Sequence, residues 1–233
     1  MKKKILSLTI GPVLVLGLIT IVLMLTMVKD SMIDEVQEAL KGTAAATLAA
    51  YDQNTGDYIE SSNGDIWKGS YNISKSESLV DRIKENSGMD VTFFYGDRRI
   101  MTSALDDNGE RILNSPAGER IVEKVLNGGE EYFSKAVSLE GELNYGYYMP
   151  VYQNGTTDQI IGMVFVGTDK KLKDAVVNKI LGSIILAVCI VMLICIVVGA
   201  KLSTSMTKNI KVSIGVVSKV ADGDLNVWGD DKL

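Results

Sequence analysis

The chain has 233 residues, a formal net charge of −5, 46% hydrophobic residues, 2 cysteines and no histidine. Without histidine, and with both cysteines inside apolar blocks, it lacks the usual transition-metal ligands, a Cys or His-activated nucleophile and a disulfide framework. No catalytic residues, metal site or cofactor are expected, and the chain does not read as an enzyme.

In chain order, Ile5–Val28 carries no charge and at ~1.5 Å per residue reaches ~36 Å, enough to cross a ~30 Å hydrocarbon core. The alternative is a signal peptide. The stretch exceeds the ~7–15 apolar residues of a signal core, and no small-x-small cleavage pattern closes it before Lys29-Asp30. Ile180–Ala200 is also uncharged and its ~32 Å suffices to cross. Lys2, Lys3 and Lys4 precede the first block while Lys201, Lys208 and Lys211 follow the second, so the positive-inside rule puts both termini in the cytoplasm. The expectation is a two-pass protein of the cell membrane, with residues 29–179 extracytoplasmic. That outer segment holds 16 Lys and Arg against 25 Asp and Glu, a net of −9, which argues against nucleic acid as a partner. Cys189 and Cys195 lie in the second block and read as small apolar fillers.

From Ser31, Met32, Val36, Leu40, Thr43 and Thr47 recur at helical spacing up to Tyr51, so the first span is predicted to continue outward as a helix. Its segment TAAATLAA permits close approach of a partner helix in a homodimer, or of the chain's own sheet. Residues 52–75 are rich in Gly, Asn, Ser and Asp and read as a loop anchored by Trp67 and Tyr71. Ser76 is placed to cap a helix running through Asn86, with Leu79, Val80 and Ile83 inward and Gly88 beyond its end. VTFFY and RRIMTSA flank Gly96-Asp97 and suggest a hairpin. Ser115-Pro116 is predicted to start a helix carrying Ile121, Val122, Val125 and Leu126 and ending at Asn127-Gly128-Gly129. EYFSKAVSLE, ELNYGYYMPVYQ and QIIGMVFVGT read as consecutive antiparallel strands with turns at Gly141-Glu142 and Asn154-Gly155. The outer segment is thus expected to be α+β, a five-stranded antiparallel sheet with a long N-terminal helix on one face. DKKLKDAVVNK then feeds as a helix into the second span.

Residues 88–104, GMDVTFFYGDRRIMTSA, and 145–168, YGYYMPVYQNGTTDQIIGMVFVGT, resemble the single Cache (PAS-like) sensing domains of bacterial methyl-accepting chemotaxis proteins. The places of that pattern are filled by Gly96, Asp97, Arg99, Thr102, Tyr145, Tyr148, Pro150, Ile161, Gly162, Met163, Phe165 and Gly167. One departure is Arg111-Ile112-Leu113-Asn114-Ser115, where related sequences tend to carry Arg followed by a Gly-Thr pair; it bears on the loop that covers the pocket. KLSTSMTKNIKVSIGVVSKVADGDLNV, within 201–233, resembles the start of a HAMP linker, with Gly223-Asp224-Leu225 in place of its helix-ending motif and Asp230–Leu233 as the opening of a second helix. The resemblance implies a fragment ending before its output module. Contact with a chemotaxis kinase and coupling protein would run only through that module.

Arg98 and Arg99 alternate across a strand, so at most one faces a pocket directly. In a domain of net charge −9, an inward arginine is best explained by a bound anion, since an unpaired buried charge is costly. A carboxylate fits the planar guanidinium fork in bidentate fashion. The resemblance to ligand-binding Cache domains favours Arg99 as the anion contact, with Arg98 next; Thr102 and Ser103 can supply hydroxyls, and Tyr145 with Tyr147 or Tyr148 phenols. The other reading pairs both arginines with Asp97 or Asp90 at the surface and puts the tyrosines in the core. Lys135 is a further candidate cation, more often a solvated charge on an edge strand. The leading function is a transmembrane chemoreceptor for a small solute, a short carboxylic acid. Its alternative is the sensor portion of a membrane histidine kinase or cyclase.

Overall fold

The computed structural model describes residues 2–139 and 141–222. Helix α1 spans Lys2–Asp52. Three short strands follow, β1 (Tyr58–Glu60), β2 (Ile66–Lys68) and β3 (Tyr71–Asn72), then helix α2 (Glu77–Ser87) and the hairpin β4 (Asp90–Tyr95) and β5 (Arg98–Thr102). Helix α3 (Glu119–Ile121) widens into a π-helical stretch, Val122–Asn127, and leads to β6 (Tyr132–Leu139), β7 (Glu142–Tyr152), β8 (Ile160–Asp169) and helix α4 (Lys170–Ala221). Residues 29–177 form one compact unit, and the described residues of 1–28 and 178–233 form another. Gly223-Asp224-Leu225 and Asp230–Leu233, the residues expected to close one HAMP helix and open the next, lie outside the described residues.

Within the apolar unit, α1 and α4 are each long and apolar enough to cross a membrane. Hydroxyls there turn back on their own helix: Thr20 donates to the Leu16 carbonyl at 2.9 Å and Thr26 to the Leu23 carbonyl at 3.0 Å. Such bonds satisfy polar groups where no water competes. Gly17 lies so near Met192 that a Cβ would overlap the thioether, the close approach that a small residue gives packed apolar helices.

The outer unit is built on an antiparallel sheet of order β5-β4-β8-β7-β6. β8 lies at its centre and is buried on both faces from Gly162 to Thr168, which explains its nearly unbroken apolar run. On one face α1 lays down Val36, Leu40, Ala44, Thr47 and Tyr51, all buried. They pack with Val80 of α2 against Phe93, Met101, Val151, Val164 and Val166; a fully buried side chain such as Leu40 contributes about 1.5–3 kcal/mol. The opposite face carries Phe94, Tyr148, Met163 and Phe165, closed by Val125 of the π stretch.

Two local expectations need correction. Residues 52–75 are not a plain loop: β1, β2 and β3 form a small antiparallel sheet with Ile59 opposite Trp67. Strands of two or three residues are too short for alternation to show, and here Ile66 and Lys68 point inward while Trp67 is half-buried. Ser76 does sit at the start of α2, but its hydroxyl makes no cap. It bonds instead to the Tyr51 hydroxyl at 2.9 Å and donates to the Ile73 carbonyl at 2.7 Å. Gly88 ends α2 at φ 69°, as a left-handed C-cap.

Candidate functional site

The site begins with the β4–β5 hairpin. Gly96, at φ 57°, turns the chain and donates its N–H to the Ile161 carbonyl at 2.7 Å. Phe94 pairs with Arg99 and Phe93 with Met101, so Ile100 is an extra residue bulged out of the ladder. A bulge resets which face the following residues occupy. Arg99 therefore shares the Phe94 face, and Thr102, opposite Thr92, rejoins that face beyond the bulge. Segment 114–117 runs along the outer edge of β5: the Arg99 N–H donates to the Ser115 carbonyl at 3.1 Å and the Ala117 N–H to the Asp97 carbonyl at 2.8 Å. The helix expected from Ser115-Pro116 consequently starts at Glu119, because Pro116 is engaged in a bridge to Arg98.

Between this sheet face, α3 and β6 lies a cavity of about 390 Å³. Phe94, Arg99 and Tyr148 line it from the sheet, Arg120 and Ile121 from α3, and Tyr132 from β6. The Arg99 guanidinium lies 5.5 Å from the Phe94 ring centroid and that of Arg120 5.7 Å from the Tyr132 centroid, both within the range of a cation–π contact. Tyr148 packs on Phe165 at 4.8 Å. Burial raises the Tyr148 pKa above the ordinary phenol value and the charge of Arg99 opposes the rise, so the phenol stays protonated as a donor. Ser134 and Ser138 also line the cavity. The two guanidiniums on the cavity wall carry the planar N–H forks that recognise an anion.

Residues 71–180 match the family described as single cache domain 3. That match covers 110 of the 233 residues, and the fold of the outer unit is of the Cache, PAS-like α+β type. Among solved structures, the ligand-binding domain of the Campylobacter jejuni chemoreceptor Tlp3, in complex with L-valine, is similar at 11% identity and TM-score 0.43, over 76% of this chain and 66% of that one. An extracellular ligand binding receptor from Desulfohalobium retbaense is similar at 15% identity and TM-score 0.41, over 64% and 26%. The extracellular domain of mmHK1S-Z2 is similar at 12% identity and TM-score 0.33, over 62% and 61%. The chain thus spans less than two thirds of the length of each, and the likeness concerns the fold. A search of curated proteins gave no match.

Of the residues singled out in the sequence, the outer unit brings Arg99 and Tyr148 to the cavity wall. Arg98 points to the other side and forms an ion pair with Glu60 at 2.6 Å, both half-exposed. The Thr102 hydroxyl is buried against that of Thr92 at 2.7 Å. Ser103 accepts the Val91 N–H and donates to Asp90, each at 2.9 Å. Tyr145 and Tyr147 fall on the α1 face: Tyr145 donates to Asp174 at 2.8 Å and accepts from Lys170 at 2.8 Å, while Tyr147 donates to Glu131. Lys135 is exposed on edge strand β6. Arg111 donates to the Thr102 carbonyl and to Asp81, each at 2.6 Å, and so pins the loop leading to the cavity wall. Arg120, Tyr132, Ser134 and Ser138 went unnoticed in the sequence. The alternation Tyr132, Ser134, Ala136, Ser138 was the available sign for β6. Arg120 had none, being one charge at the start of a short helix.

Glu131 also accepts from Lys41 at 2.6 Å, which joins β6 to α1. The hydrogen bonds from Lys41 and then Tyr147 hold its carboxyl below the ordinary 4.5, against a smaller opposing effect of burial. A depressed carboxyl stabilises the fold above its unfolded pKa, and that contribution disappears as pH falls through the folded value. Glu131→Gln is expected to cost less than about 1 kcal/mol at neutral pH, since the pair is solvent-screened. It should also flatten the loss of melting temperature between roughly pH 5 and 3. Thermal melts of both chains over that range check this, and parallel slopes would contradict it.

Proposed function

We propose that this chain is the sensor of a two-pass membrane chemoreceptor, binding a small carboxylate in the cavity through Arg99. The observation that carries the reading is the lining itself: the guanidiniums of Arg99 and Arg120 stand beside aromatic and hydroxyl neighbours on one cavity. Support for the topology comes from the two membrane-length apolar helices and from the lysines beyond their outer ends, which favour cytoplasmic termini and an extracytoplasmic segment 29–179. The resemblance of 201–233 to a HAMP linker supports signal transfer to a cytoplasmic partner. The exposed small residues Gly42, Ala45, Ala46 and Ala49 on α1 are compatible with a homodimer.

The route for the signal runs along β7. Tyr148 faces the cavity, while its neighbours Tyr145 and Tyr147 bond to Asp174 at the start of α4 and to Glu131, which meets Lys41 of α1. A solute that shifts Tyr148 therefore moves a strand tied to both helices. A thermal-shift panel of short acids, their amides and their alcohols, run on the whole chain, tests the reading. At about a hundred times Kd an acid should add about 2.7 kcal/mol, or roughly 5–10 °C for a domain of this size. The amides and alcohols should do little. Equal stabilisation by acid and amide, or none by any acid, would contradict it.

A further inference from the structure

The structure assigns Lys68 and Asn154 to an intramolecular isopeptide bond, formed with Asp52 as the base. Lys68 on β2 is 2% exposed, and a lysine is almost never buried so fully unless it is well paired. Its pairing here is loose. Among the described residues its ammonium makes one hydrogen bond, to the Asn154 carboxamide oxygen at 3.3 Å, and lies 3.6 Å from the Asp52 carboxylate and 4.2 Å from the Tyr58 ring centroid. As an ion pair alone, this geometry offsets the cost of burial poorly. As a reactive cluster it is complete, because a nucleophilic amine, a base and an acceptor carbonyl meet at one point.

Each member is held from a different element. The Gln153 side chain accepts the Tyr58 N–H at 2.7 Å and donates to the Tyr58 carbonyl at 3.0 Å, which fixes the turn carrying Asn154 against β1. Tyr58 stands opposite Lys68 in the β1–β2 ladder, and its hydroxyl donates at 3.0 Å to Asp52 at the end of α1. Groups fixed in this way have already met the entropic cost of their encounter. In the reaction the Lys68 ammonium gives one proton to Asp52, and the freed amine attacks Cγ of Asn154. A second proton then moves from Nζ to Nδ2, the Cγ–Nδ2 bond breaks, and ammonia departs, carrying off the proton held by Asp52 as ammonium. No atom changes oxidation state. The Asp52 side chain is 49% exposed and Asn154 lies at the surface, so the leaving group passes directly to solvent while the amine stays buried. Residues 29–179 hold no cysteine, and the new bond closes a separation of 86 residues as a disulfide would.

Intact mass and tryptic mapping of the purified whole chain test this. The parent chain should be lighter than its sequence by one ammonia, and fragments 42–75 and 136–170 should run as one joined peptide, uncut after Lys68. Asn154→Ala, at an exposed turn position, should have its full mass and give separate fragments. Asp52→Asn keeps the shape without the base and should form the bond about a hundredfold or more slowly. A parent chain of full mass would overturn the assignment and leave Lys68 as an ordinary ion-pair partner. Loss of ammonia within 136–170 alone, by ring closure at Asn154-Gly155, would overturn it equally. Bond formation in Asp52→Asn at the parent's rate would overturn Asp52 as the base. None of these results bears on the solute cavity, so the sensor reading stands or falls separately.

Discussion

Arg99→Lys should weaken carboxylate binding about ten- to hundred-fold, although it keeps the charge. The guanidinium offers two parallel N–H groups to one carboxylate, where an ammonium offers a point charge. A hydrogen bond to a charged group contributes roughly 1.5–3 kcal/mol, and each 1.4 kcal/mol is tenfold in Kd. Lysine would also lose part of the planar contact with Phe94, 5.5 Å away. Arg98→Lys is the internal control. It changes only the half-exposed pair with Glu60, a class of contact that contributes about 0–1 kcal/mol to stability, and it should leave affinity unaltered. Calorimetry on both variants separates the outcomes. An unaffected Arg99→Lys, or matching losses in the two, would remove Arg99 from the site.

Gly162→Val should cost about 3 kcal/mol or more, a large part of the ~5–15 kcal/mol that holds a domain folded. Gly162 stands opposite Tyr95 in the β4–β8 ladder, and a Cβ there would overlap the Phe94 carbonyl and crowd the Tyr95 backbone. Neither neighbour is a flexible side-chain tip, so the strands themselves would have to part. At roughly 2–4 °C per kcal/mol for a domain of about 150 residues, the melting temperature should fall by about 6–12 °C. Gly42→Ala is the contrast, since a Cβ at Gly42 meets nothing within 4 Å. Within a helix that change should be neutral or stabilise by up to about 1 kcal/mol. A Gly162→Val chain melting with its parent would show that β4 and β8 are less closely packed than this.

The sheet was legible because its strands carry strong local signs. The apolar run of β8, the Gly96-Asp97 turn and the Asn154-Gly155 turn between β7 and β8 each point to elements that the structure has, and the helical spacing from Val36 to Tyr51 gave the covering helix. Its inward face, however, includes Ala44 rather than Thr43, a small rotation that periodicity alone does not resolve. The site was harder to read. Arg99 stood out as a cation inside a strand, but its separation from Met101 onto the opposite face depends on the bulge at Ile100. Nothing in the letters RRIMT marks that bulge. Tyr145, Tyr147 and Tyr148 look alike in sequence, and only pairing with β8 sends Tyr148 to the Phe165 face while the other two join the α1 face. Arg120 approaches the cavity through tertiary packing of α3, where local pattern carries no information. Segment 114–117 reads as a helix start by propensity, yet its edge bonds to β5 override that preference.

The most direct test of the cavity as the solute site is a crystal structure of the chain with a carboxylate that stabilises it. The expected result places that carboxylate within hydrogen-bond distance of the Arg99 guanidinium, beside Phe94 and Tyr148 and beneath α3. A carboxylate bound on the α1 face near Tyr145 and Tyr147, or anywhere that leaves the Arg99 cavity without solute, would contradict it.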